Sequence, residues 1–423
     1  MFRRLILSTA LTLWAVLSGP GAGLAAPAAE IVETYGRIGE ASFGDAARAG
    51  LDLQTAVDRF LAKPTEETLT AAREAWKASR PWYQRTEVFR FGNPVVDAWE
   101  GRVNAWPLDE GLIDYVDRDL YGETSDENAL FRANIIANQK IRVGKDMIDA
   151  SVITPDLLRS LLGVGGVEAN VAIGFHAVEF LLWGQDLNGT GPGAGRRPAT
   201  DFDLAACTNG NCDRRRAYLK SATDLLAADL AEMAASWKPG GEAREDLKKA
   251  GPSEGVSRIV TGIGSLSYGE VAGERMKLGL MLKDPEEEQD CFSDNTHNGP
   301  YFDQVGILAV FSGRYEARDG TIIEGASLKD FLAATDPAAA ATVADDMNRT
   351  LAALAKIRET GESGAMAYDQ MIAEGNAEGN ALIQAGIDAL VRQTRSLEAA
   401  VSKTNVAIRV EGSDSLDNPG SIQ

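Results

Sequence analysis

Apolar residues recur every three or four positions through most of the chain, and alternating β-branched runs are scarce, so the pattern predicts a helical protein. The spacing predicts helices over 30–61, 66–90, 108–118, 127–149, 167–184, 213–237, 255–282, 337–359 and 376–402. Thr65 before Glu66 and Glu67 has the form of an N-cap with an acidic first turn, and Pro81 should kink the second helix. Val305 to Glu324 departs from the pattern. Its apolar run, then Arg318-Asp319-Gly320, then a second apolar run predict a β-hairpin turning at Asp319-Gly320.

Lys238-Pro-Gly-Gly-Glu242 breaks the helical pattern near the middle. The expected organisation is a leader over 1–26, a first helical bundle over 27–237, a second with the hairpin over 243–410, and a frayed tail over 411–423. Gly174-x-x-x-x-Glu179 has a weak echo in Gly269-x-x-x-x-Glu274, with valine at the histidine position, which hints at duplication.

Arg3 and Arg4, the apolar run Leu5 to Leu17 and the small residues from Gly19 to Ala29 follow the order of a secretory signal peptide. No cysteine follows that run and no later stretch approaches about 20 continuous apolar residues, so a soluble periplasmic protein without a membrane anchor is expected. The net charge of −20 argues against nucleic acid or an anionic membrane as partner; solubility is the first reading of that acidity, and a field that draws in cations is the functional alternative. Cys207 and Cys212 flank Thr-Asn-Gly-Asn and suit a local disulfide. A metal clip is the alternative, but no second pair exists to complete four ligands. Cys291 has no assigned partner.

The chemistry centres on Val171 to Trp183, VAIGFHAVEFLLW, which is apolar or small except for His176 and Glu179. The chain has only two histidines, and this one shares a helix face with a glutamate one turn on. Buried, the two must satisfy each other or jointly hold a metal ion. An ion needs more donors, and neighbouring helices of a bundle can supply them. The stripe Leu69, Ala72, Trp76, Tyr83 continues onto Glu87, a carboxylate where a core residue is expected, with Arg80 as its alternative ion-pair partner. Asp109 shares a face with Leu112, Ile113 and Val116 and is either a ligand or an N-cap, while Asp114 reads as solvated. His297 lies in EEEQDCFSDNTHNGPY, where Glu288, Asp294 and Cys291 could build a second site. The alternative is a set of Asx-turn caps with His297 exposed.

GFHAVEFLLWG, Gly174 to Gly184, resembles the GxHxxE signature of imelysin-like proteins. NAWPLDEGLIDYV from Asn104, SYGEVAGERM from Ser267, CFSDNTHNGPYFDQ from Cys291 and the Asp213-Arg-Arg-Arg-x-Tyr218 run are similar to the iron-regulated protein A subgroup. The resemblance spans most of the mature chain. It implies an all-α fold of two related four-helix bundles, export in a bacterium and a link to iron acquisition. It also implies a metal site, matched here to His176, Glu179, Asp109 and Glu87.

The residues speak against the family's peptidase label: Phe180 follows Glu179, and neither HExxH nor HxxEH is present. One imidazole with several carboxylates suits iron, manganese or zinc better than Cu(I). The expected function is a periplasmic metal-binding protein, iron first and zinc as an alternative, working beside a membrane iron-uptake component. The rivals are a metallopeptidase with Glu179 as base and an interaction protein without metal.

Overall fold

A computed structural model describes residues 22–122 and 125–417; the expected leader lies mostly outside them. The fold is all-α with small β-hairpins. Helix α1 (Ala22–Ala62) packs against α2 (Glu66–Gln84), α5 (Cys212–Ser236) and α6 (Glu242–Ser265), while α3 (Pro94–Asn104) and α4 (Gly174–Trp183) close the first bundle. Helix α7 (Gly299–Ser312) packs on α8 (Pro337–Glu362), which packs on α9 (Ala377–Val401). Helix α7 also touches α2 and the 3-10 turn Glu87–Phe89, so the two parts of the chain share an interface. Thr65 caps α2 as expected, in a capping box with Thr68.

The core at α1 is aromatic. Phe43 stacks on Trp237 with centroids 5.7 Å apart, and Phe89 meets the same indole edge-on at 5.1 Å. Among the described residues no helix is long and apolar enough to cross a membrane.

Several expected elements differ. Val305 to Ser312 belongs to α7 rather than to a strand. Only β3 (Arg314–Glu316) and β4 (Ile322–Glu324) form the second-half hairpin. The run is buried on more than one side, and a short continuous apolar run does not distinguish strand from helix. The expected helix over 127–149 is instead turns followed by a hairpin, β1 (Lys140–Val143) with β2 (Asp146–Asp149). Gly144 at φ +58 makes that turn, a conformation that costs glycine little. The helix expected over 108–118 shrinks to Glu110–Ile113, and that over 66–90 stops at Gln84.

The segment expected as one helix over 255–282 leaves α6 and becomes a π-helix over Leu266–Lys277, then a short α-helix, Leu278–Leu282. Single π-turns are the usual form, so twelve consecutive residues set this segment apart.

Candidate metal centre

Helix α4 is ten residues long, and glycines bound it. Gly174 enters at φ +91, where a Cβ would lie 2.7 Å from the Val103 carbonyl oxygen, so only glycine lets the chain turn against the end of α3. Gly184 leaves at φ +72. Every residue between is buried. Trp76 of α2 clamps the helix by donating its indole N–H to the Phe175 carbonyl at 2.9 Å, and its ring lies edge-on to Trp183 at 5.5 Å.

On the face of α4 toward the second half of the chain, His176 Nδ1 lies 3.3 Å from Glu179 Oε2 and 3.8 Å from Asp290 Oδ1. Asp290 precedes the turn Cys291–Ser293, which packs on α4 with Phe292 against Phe180 at 5.2 Å. The turn also fixes Glu179, because the Ser293 backbone N–H and hydroxyl donate to Oε1 at 3.0 and 2.6 Å. Arg80 forks onto both oxygens of Asp290 at 3.1 and 2.8 Å and donates to Asn104 at 2.7 Å. Its guanidinium lies over the Phe175 ring at 4.9 Å.

Burial, then the Arg80 charge, lowers His176 to about 3, so its imidazole is neutral and keeps a lone pair. Burial, then Asp290, pushes Glu179 well above the ordinary carboxylate range. Burial opposes ionisation of Asp290, but Arg80 outweighs it and keeps that group low. His176 Nε2 has no hydrogen-bond partner although it is buried. An ion with bonds near 2.1 Å spaces its donors roughly 3.0–3.5 Å apart, close to the separations found here. One imidazole and two carboxylates from a dry wall fit a borderline divalent metal and leave further positions open.

The sequence-derived ligand set is divided. His176 and Glu179 come together with Asp290, an acid that nothing in its polar segment sets apart. Glu87 lies on the turn after α2, and its Oε2 accepts from Arg275 at 2.6 Å. Arg80, on the same stripe, serves Asp290 instead. Asp109 stands at the N-cap position of Glu110–Ile113 but makes no cap bond. Its carboxylate accepts from Tyr121 at 3.4 Å and from Asn128.

Asp114 is not solvated. It is buried and takes Arg197 at 2.6 Å and Arg215, from the Asp213 to Tyr218 run, at 2.6 and 3.0 Å. His297 is buried as well, 3.3 Å from Glu362 and 3.1 Å from Asn298, rather than exposed. Cys207 and Cys212 form the expected disulfide. Cys291 is a buried free thiol that burial pushes well up, which makes it a poor nucleophile.

A cleft of about 690 Å³ opens beside this centre, lined by Asp109, Glu110, Asp186 and Glu286 and floored by Cys291 and Phe292, the neighbours of Asp290 and Ser293.

Comparison with known proteins gives the same fold. A crystal structure described as an iron-regulated protein A precursor from Parabacteroides distasonis superposes with a TM-score of 0.63 at 17% identity, covering 90% of this chain and 95% of that one. An imelysin-like protein from Psychrobacter arcticum superposes at 0.59 and 15% identity, covering 90% and 96%. Iron-regulated protein A from Synechococcus elongatus is 33% identical over 72 residues, which span 17% of this chain and 20% of that protein. Residues 39–397, the span that contains every donor of the centre, match the peptidase family M75, Imelysin, and the chain therefore belongs to that family.

Proposed function

We propose that the protein is an exported, periplasmic binder of a metal ion, iron first, serving iron acquisition or homeostasis. The observation that carries this reading is the neutral, buried His176 imidazole set within 3.3 and 3.8 Å of carboxylates from two distant segments. His176 and Glu179 would ligate directly, and Asp290 would ligate while sharing its charge with Arg80. Ser293 orients Glu179, as groups behind metal ligands commonly do. The acidic cleft supports a route for a cation, since its carboxylates lower the energy of positive charge on the way in. The iron link and the periplasmic location draw on the names of the relatives and on the N-terminal pattern. A membrane iron-uptake component remains the expected partner.

The family's peptidase label offers the second reading, in which the same ion activates water. Among the described residues the only other histidine, His297, is held by Glu362 and Asn298, so a two-histidine peptidase centre is not formed. The test is iron content of the purified full chain after loading and dialysis, beside His176→Ala and Asp290→Asn. Affinity should fall at least ten-fold in each; equal iron in all three would retire the site. Metal-dependent cleavage of an unfolded protein, lost in Glu179→Ala, would promote the peptidase.

A further inference from the structure

We propose a second cation site, separate from the His176 centre, built from Glu288, Asp294 and Asp369 and suited to a hard divalent ion of the calcium class. Each of the three offers an oxygen within 4.8 Å of the other two. Glu288 ends the turn Pro285–Glu287, Asp294 follows Cys291–Ser293 in the left-handed region at φ +52, and Asp369 lies on Tyr368–Ile372. One loop and the distant Tyr368–Ile372 helix therefore bring anions to one point.

Proximity of acids alone would mean little, but four of their six carboxylate oxygens also lack a hydrogen-bond partner. Asp369 is 0% exposed and Glu288 1%. Both Asp369 oxygens, Glu288 Oε2 and Asp294 Oδ1 are buried with no hydrogen-bond partner. None of the three residues makes a salt bridge among the described residues, whereas the buried Asp114, Asp290 and Glu87 each meet an arginine. Buried acceptors in a native protein are almost always satisfied, so a converging set that is not satisfied points to a missing positive charge. Burial, then Asp186, raises Asp294 to about 6 against a weaker pull from Lys77, and burial, with Asp294 and Asp186 adding to it, raises Asp369 to about 7.

The donor chemistry selects the ion. Three carboxylates provide up to six oxygens and no nitrogen or sulfur, the set that calcium accepts with bonds of roughly 2.3–2.6 Å. Donors on opposite sides of such an ion are then roughly 4.6–5.2 Å apart, in keeping with the observed spread. Asp294 is half-buried, which leaves an opening for water to complete the shell. His297, nearby in sequence, turns Nε2 to Glu362 and Asn298 and is not among the converging groups.

The test is calorimetric titration of the EDTA-treated full chain with Ca²⁺, then with Zn²⁺. Wild type should bind one equivalent of Ca²⁺, Asp369→Asn should lose at least ten-fold in affinity, and His176→Ala should match wild type. In EDTA, Asp369→Asn should melt at or above wild type because one repelling anion is gone, and Ca²⁺ should raise the midpoint of wild type only. If Asp369→Asn fails to fold, Glu288→Gln carries the same comparison. No Ca²⁺ binding, equal binding in the Asp369 variant, or loss of Ca²⁺ binding in His176→Ala would overturn the site. Zn²⁺ binding that depends on Asp369 without Ca²⁺ binding would overturn its assigned chemistry.

Discussion

Two buried polar knots lie where the halves of the chain meet, and they resolve the same problem in opposite ways. Around Arg275, the carboxylates of Glu87, Glu270 and Asp303 converge on one guanidinium at 2.6, 2.7 and 3.3 Å. Its positive charge is supplied by the chain itself. Around His176, two carboxylates meet an imidazole that burial keeps neutral, with one ring nitrogen unpartnered. Arg80 engages only Asp290 there, and Glu179 is held by a hydroxyl and an amide. The difference lies in how the acids are matched: three carboxylates share Arg275 in the first knot, whereas in the second Arg80 takes Asp290 alone and Glu179 meets no arginine. Glu87 looks like a ligand on its helical stripe, but the π-helix Leu266–Lys277 delivers Arg275 to it.

The widest separation between the knots should appear on removing the internal cation. Arg275→Met leaves three carboxylates facing each other and should cost about 3–5 kcal/mol in denaturant unfolding. A loss under about 1 kcal/mol would show that the first knot is not closed by Arg275. Glu87→Gln comes next, with about 1.5–3 kcal/mol of stability lost and iron content unchanged. A loss of iron would return Glu87 to the ligand set.

Acid titration of the metal-free protein separates the knots more finely. His176 falls from 6.5 to about 3 on folding, so between those values the unfolded chain takes up a proton that the folded chain refuses. That contribution is whole above pH 6.5 and is lost as pH drops toward 3, at up to about 1.4 kcal/mol per pH unit. Stability measured between pH 7 and 4 should fall less steeply in His176→Gln than in wild type. Parallel curves would mean the imidazole is not neutral. Asp109→Asn should do least, changing stability by at most about 1 kcal/mol and leaving iron content as in wild type.

Much of this was legible in the chain. His176 and Glu179 stand out because everything around them is apolar, and the long amphipathic stretches at 30–61, 213–237, 337–359 and 376–402 sit close to observed helices. Asp290 was hidden for the opposite reason: in EEEQDCFSDNTHN one more acid carries no contrast, and only the packing of Cys291–Ser293 on α4 distinguishes it. Arg275 was invisible as the partner of Glu87 because 188 positions separate them. The hairpin at Lys140–Asp149 does show alternation and a glycine at its turn, but its strands are four residues each, too short to override a helical reading of the surrounding window.

Glu179 and the serine that steadies it lie 114 positions apart. The cluster consequently comes into being only when late-emerging sequence has docked onto early-emerging sequence, so a half-folded chain would lack the proposed metal centre. On the proposed reading, a truncated N-terminal fragment would stay apo even with its signature histidine intact.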